Sequence, residues 1–135
     1  MPLIGARKHI QRLRRLSSPK MQKAIGEAIY EAADAVRAEA HRSISAGSVS
    51  GKNHRPSAPG HAPNRDTGIL QAHLKAVQTG RHEAEVRSEA PYSAALEFGT
   101  SKMAARPFLR PARDKVAKDL PNLAIEKINR ALRSN

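Results

Sequence analysis

A chain of 135 residues with no cysteine, no tryptophan and a formal charge of +12 is expected to be one domain, 1–135, without disulfides, thiolate nucleophiles or cysteine-ligated zinc. Of its 53 apolar residues 23 are alanine, so the core is thin and part of the stability is expected to come from self-association. No apolar run approaches the ~20 residues of a membrane span and no secretory signal opens the chain, which predicts a soluble intracellular protein with no membrane contact.

Residues 1–18 read as a basic arm. Leu3, Ala6, Ile10, Leu13 and Leu16 fall at helical spacing, with Arg7, Lys8, Arg12, Arg14 and Arg15 on the wider face. Seven Lys/Arg and no acid precede Glu27, so the first 26 residues carry +7 of the total. A solvated helix face, phosphate contact and membrane-surface binding compete for this arm, and its composition also has the look of an organellar transit peptide. The unevenness of the charge favours a negative partner nearby, nucleic acid first and an acidic protein surface second, and makes the five basic residues of the arm candidate DNA-facing groups.

Ser17-Ser18-Pro19 predicts a break and a new helix, with a serine as N-cap and Pro19 at the first position. Met21, Ile25, Ala28, Ile29, Ala32, Val36, Ala40 and Ile44 form the stripe of a long helix to about Ile44 whose apolar face is largely alanine, suited to close approach or to a seam with another subunit. Residues 45–65 follow as a loop, with prolines at 56, 59 and 63, glycines at 47, 51 and 60 and four serines. Too poor in apolar surface to order itself, this loop is expected to be flexible, and an assembly arm is the preferred reading over a plain flexible insertion.

Asp66-Thr67-Gly68 supplies turn chemistry before Ile69 and Leu70. A hairpin is expected around Gly80. A two-residue Gly80-Arg81 loop would mix the faces, whereas a three-residue Gly80-Arg81-His82 loop sets Ala76 opposite Val86 and Gln78 opposite Ala84, with Glu83, Glu85 and Arg87 outward. Two strands alone are marginal, so a third strand or packing helices must complete the sheet.

Ala90 to Ala112, APYSAALEFGTSKMAARPFLRPA, holds three of the four aromatic residues, Tyr92, Phe98 and Phe108, and is expected to anchor the core. Pro91 is placed as the first residue of a short helix with Tyr92, Ala95 and Leu96 on one face, and Gly99 as its left-handed stop. Pro107 is placed as the start of a last helical region, to about Arg133, with Phe108 and Leu109 inward and Val116, Leu120, Leu123, Ile128 and Leu132 as buried candidates. Pro121 should kink or interrupt it. The fold class is therefore α+β: a long N-terminal helix, a small antiparallel sheet, a short helix at the central motif and a C-terminal helical segment kinked near Pro121.

Chemistry finds little purchase. Gly47 to Asn53, GSVSGKN, has its glycines one residue too close for a phosphate loop and lacks the magnesium-binding hydroxyl. Ser17 and Lys20 have the spacing of a nucleophile pair without its companion elements, and helix capping explains the serine. His54 and His61 share a loop without further ligands, so no metal or cofactor is expected. Glu97 is the one acid in an apolar setting, and an ion pair with Arg106 or Arg110 is its expected role.

The order and spacing of Tyr92, Glu97, Phe98, Gly99, Thr100, Met103, Ala105, Arg106, Pro107, Phe108, Pro111 and Ala112, behind Ser57-Ala58-Pro59-Gly60 and Thr67-Gly68-Ile69-Leu70, resemble the small head-tail joining proteins of long-tailed bacteriophages, the neck, tail-completion or tail-terminator components. Ser93 stands where that family more often has alanine. The resemblance lies in the middle and last thirds of the chain, and the variable N-terminal arm does not carry it. It implies a non-enzymatic virion protein assembled in the bacterial cytoplasm, forming a ring, commonly of six subunits, at the head-tail junction or tail end. Such a ring meets other neck and tail proteins, and DNA crosses its lumen. It further implies that Tyr92, Glu97, Phe98, Gly99, Thr100, Arg106, Pro107, Phe108 and Pro111 serve folding and assembly. A basic nucleoid-type protein acting alone on duplex DNA is the alternative from another class, and it would show a recognition helix. A hydrolase has no constellation behind it.

Overall fold

The computed structural model of the chain describes residues 5–45, 56–64 and 67–134. Its spine is a 27-residue helix, α2 (Pro19–Ser45), about 40 Å long at the usual rise per residue. Ahead of it stands α1 (Ala6–Leu16), none of whose residues is buried. Between the two, the Ser17 hydroxyl turns back to the Leu13 carbonyl at 3.1 Å, and Ser18 Oγ accepts the Met21 amide at 3.2 Å. Ser18 is thus the N-cap and Pro19 the first helical residue, as the sequence predicts.

After α2 come a short helix α3 (Ile69–Ala72), an antiparallel hairpin of β1 (Leu74–Gly80) and β2 (Glu83–Ser88), another short helix α4 (Ser93–Phe98), and two C-terminal helices, α5 (Leu109–Ala117) and α6 (Leu120–Arg133). Among the described residues the sheet has two strands, and both pack on α2, as do α5 and α6. There α2 rather than a third strand covers the hairpin, and the α+β class holds.

Register follows the expected pairing, Ala76 with Val86 and Gln78 with Ala84, and Glu83, Glu85 and Arg87 are exposed. The tip differs from the three-residue loop. Gly80 pairs with Glu83 across a bulge after Gln78, so Arg81 and His82 form the turn and Thr79 is the extra residue that keeps the faces unmixed. That tip crosses α2 at Gly26, where a β-carbon would lie 2.6 Å from the Arg81 carbonyl oxygen. Only a residue without a side chain allows this approach.

Val36, Ala40, Ile44, Leu70, Leu74, Ala90, Phe108 and Ala112 make the core, flanked by half-buried Ala62, Val86, Leu96, Leu109 and Val116. Met21 is fully buried near the start of α2. Every large apolar residue of α6 stays at least partly exposed, so Leu120, Leu123, Ile128 and Leu132 cover α2 without closing a second core. The interruption expected at Pro121 is present. α5 ends at Ala117, and Pro121 sits in the first turn of α6, where no intrahelical partner is needed for its nitrogen.

Two aromatic expectations are overturned. Phe98 is 76% exposed and Tyr92 43%, so of the three aromatics in the central stretch only Phe108, at 1%, anchors the core. Phe98 ends α4 at the edge of a groove over Ile29, Ala33 and Val36 of α2, and the buried cluster that holds Phe108 with Ala40, Ala90 and Ala112 closes without it. Helix starts shift as well. Pro91 lies in a turn two residues before α4, and Pro107 lies in irregular backbone two residues before α5. Of the 45–65 loop, residues 46–55 and 65 lie outside the described residues, as does Asp66. Residues 56–64 run without regular structure, with Pro63 buried.

Candidate functional site: the corner between α4 and α5

The central motif folds into a stitched corner. α4 begins where the Ser93 hydroxyl, buried, meets the Ser88 hydroxyl at the end of β2 at 2.5 Å. At its other end Gly99 has φ 76° and ψ 174°. The positive φ is as expected, but the conformation is the extended one that only glycine adopts, not the left-handed helical one. A β-carbon there would sit 2.9 Å from the Ala105 nitrogen and 3.0 Å from the Met103 oxygen. The need for glycine is therefore double, in backbone angle and in space.

Beyond Gly99 the chain makes a tight turn. The Thr100 amide donates to the Met103 carbonyl at 2.8 Å, and Thr100 Oγ1 accepts the Lys102 amide at 3.2 Å. The return limb runs back along α4 until the Arg106 amide reaches the Leu96 carbonyl at 2.6 Å. Phe108 then enters the core and α5 starts.

Glu97 governs that start. Its Oε2 accepts the amides of Phe108 and Leu109 at 2.8 and 3.0 Å, and its Oε1 accepts that of Arg110 at 2.8 Å. These are three of the amides at a helix N-terminus that have no intrahelical acceptor, and the carboxylate also suits the positive end of the helix dipole. The expected ion pair with Arg106 or Arg110 is thus replaced by a cap supplied from another helix. α5 has no side-chain cap of its own, because its N-cap position is Phe108, which is spent on the core.

Arg106 is spent elsewhere. Its Nε donates to the Ser57 carbonyl at 3.1 Å, and the Gly60 amide donates to the Ala105 carbonyl at 2.9 Å. Two stitches therefore join the Ser57-Ala58-Pro59-Gly60 stretch to the Ala105-Arg106 limb, almost fifty residues away in sequence. These partners were missed in the sequence because a carbonyl has no residue identity. The signal that could have found them was the joint appearance of both stretches in one pattern.

Alongside the corner lie two hollows. A cavity of about 390 Å³ is lined by Ile44, Leu70, Tyr92, Leu96, Arg106 and Gln71 among others. An apolar groove of about 690 Å³ runs between α2 and the corner, floored by Ile29, Ala33, Val36 and Val86 and edged by Phe98 and Arg110. Pro111 is exposed in the first turn of α5. The arm residues Arg7, Lys8, Arg12, Arg14 and Arg15 are all exposed. The arm and the corner are not brought together: α1 leaves α2 at Pro19, whereas the corner packs beside Ile29, Val36 and Ile44.

Electrostatics elsewhere are structural. Glu39 on α2 accepts from Arg42 and from Lys115 of α5, the latter at 2.8 Å, and these bonds hold its carboxyl at about 2, below the ordinary 4.5. Among the described residues no group of three or more His, Asp or Glu could hold a metal ion, and no helix is long and apolar enough to cross a membrane.

Residues 7–99 match the family model described as "Bacteriophage HK97-gp10, putative tail-component". No curated protein and no solved structure matches the chain. The match starts inside α1 and ends at Gly99, so the N-terminal helix, which carried none of the resemblance seen in the sequence, lies within it. The limb with Arg106, Pro107, Phe108 and Pro111 lies beyond it. Since the match spans more than half of the chain, this protein belongs to the HK97-gp10-like family of bacteriophage tail components, and its role is a structural one in the phage tail.

Proposed function

We propose that the protein forms a ring, of six subunits as the sequence resemblance implies, at the junction of phage head and tail or at the tail end, where it completes the tail and lets DNA pass through its lumen. The observation that carries this reading is the family match over residues 7–99. Two features of the fold support self-association. The protomer leaves large apolar groups in water, Phe98 above all and also Ile10, Leu13 and Ile125, each about half exposed or more. It also presents an apolar groove floored by Ile29, Ala33, Val36 and Val86 beside Phe98. On this reading its partners are copies of itself and the neighbouring neck and tail proteins, its place is the virion after assembly in the host cytoplasm, and it catalyses no reaction. The corner serves as the rigid mount that holds Phe98 and Tyr92 outward toward a neighbour.

Particles assembled without this chain, imaged by electron microscopy, should show heads and tails that fail to join, or tails of abnormal end structure. Normal, infectious particles would overturn the reading.

A further inference from the structure

Three segments distant in sequence meet at the end of the molecule where α2 begins. The C-terminal end of α6 lies against the first turn of α2, with Lys20 Nζ donating to the Ser134 carbonyl at 2.8 Å. A shallow hollow there is lined by Lys20, Lys23, Glu27, Lys127, Arg130 and Ser134. On the neighbouring side the hairpin tip brings Arg81 to a second hollow shared with Ser17, Pro19 and Lys23. α1, with its five basic residues, joins the same end through Ser17 and Ser18.

Three acids at this end meet two cations, and Glu83 beside the hairpin tip adds an exposed carboxylate. Lys127 reaches Glu31 at 2.6 Å and Glu27 at 4.0 Å, and Arg130 pairs with Glu126 at 3.0 Å. Lys20, Lys23, Arg81 and Arg133 are exposed and have no acidic partner among the described residues. Much of the positive charge is therefore gathered at one pole built from α1, the start of α2, the β1–β2 tip and the end of α6, and not in the N-terminal arm alone.

We infer that this pole is a binding face for the phosphate backbone of duplex DNA, with Lys20, Lys23, Arg81 and Arg133 extending the surface begun by Arg7, Lys8, Arg12, Arg14 and Arg15. Charge held on several elements that meet at one end of the molecule suits a phosphate backbone, since it is recognised by charge and position without base readout. The unpaired cations are spread over α1, the start of α2, the β1–β2 tip and the end of α6, a spread that suits a continuous line of phosphates. The inference rests on the reading that DNA passes this protein, and it assigns the surface that faces it.

Binding of a short mixed-sequence DNA duplex to the full chain, measured against salt concentration, tests this. Each lost phosphate contact lowers the logarithmic salt slope by about 0.9, so the variant Lys23→Gln, Arg81→Gln, Arg133→Gln should flatten the slope by about 2 to 3. A control of equal charge loss away from the pole, Lys102→Gln, Arg113→Gln, Lys118→Gln, should leave it nearly unchanged, and circular-dichroism melts confirm that each variant is folded. An unchanged slope in the pole variant, or an equal change in the control, overturns the assignment. If the arm variant Arg12→Gln, Arg14→Gln, Arg15→Gln alone flattens the slope, the pole is wrong and DNA contact by the arm stands. If the unaltered chain shows no salt-dependent binding, the pole and the DNA contact both fall.

Discussion

Glu97 shows how far a single carboxylate can organise a corner. It accepts three backbone amides at the start of α5, and a glutamine in its place keeps only one acceptor oxygen while turning an amide group toward the Arg110 N–H. Glu97→Gln should therefore cost about 1 to 2 kcal/mol, more than loss of an exposed ion pair, as read from thermal or urea melts. Phe108→Ala, at the largest fully buried side chain, should cost about 3 to 5 kcal/mol and leave little folded protomer. Phe98→Ala should melt within about 0.5 kcal/mol of the parent and reveal itself only in assembly assays, because its ring is mostly in water. Gly99→Val combines a disfavoured backbone, about 1 to 3 kcal/mol, with a clash against Ala105, so it should unfold the corner although the position is only half-buried. At this scale the sequence announced which residues matter but not how. Phe98 and Phe108 have the same side chain, and only the tertiary path, which drives Phe108 beneath Ala40 and Ala112, separates a core residue from an exposed one. Glu97 likewise looked like an ion-pair partner because sequence displays charges and hides amides.

Among elements, α2 decides the architecture, and its periodicity was legible. Ser18 as cap, Pro19 at the first position and a stripe from Met21 to Ile44 all follow from local chemistry, as does the strand register, which the alternation of apolar residues fixes. The bulge at Thr79 was less legible, since adding one residue at the tip or within the strand gives the same pairing below it. Gly26 offers a test of how tightly the hairpin is set on α2. Alanine is favoured over glycine in a helix by about 1 kcal/mol, yet its β-carbon would lie 2.6 Å from the Arg81 oxygen, so Gly26→Ala should lower stability and loosen hydrogen-exchange protection in β1 and β2. A more stable variant with unchanged exchange would show that the contact is slack. The tie between α2 and α5 is open to a pH experiment. Glu39 is held at about 2 in the folded chain against an ordinary 4.5, so the folded state is favoured by its ionised form above the unfolded value, and that contribution fades as pH falls from about 4.5 toward 2. Glu39→Gln should accordingly differ most from the parent above pH 5 and least near pH 2 in urea melts, with α5 the first element to lose protection in acid.

For the whole molecule, composition was informative where it concerned what the chain lacks. An alanine-rich set of apolar residues predicted a thin core, and the structure has one principal cluster around Phe108 while α6 remains half wet. The charge excess was legible as an amount and as an N-terminal bias, but its gathering with Arg81 and Arg133 needed the fold, because three distant segments meet only when the hairpin and α6 pack on α2. Membership of the HK97-gp10-like family sets this protomer among the structural parts of a phage tail, and the exposed Phe98 beside an apolar groove fits a subunit that completes its surface with a neighbour. Light scattering at increasing concentration should show growth toward a closed oligomer, and Phe98→Ala should delay it. The central claim is the ring itself, and cryo-electron microscopy of purified particles, with copy number fixed independently by quantitative mass spectrometry, tests it most directly. A closed ring of this chain, six copies by expectation, at the head-tail junction or tail end with DNA density through its lumen is the predicted result, whereas a single copy per particle, or particles that lack the chain altogether, would contradict it.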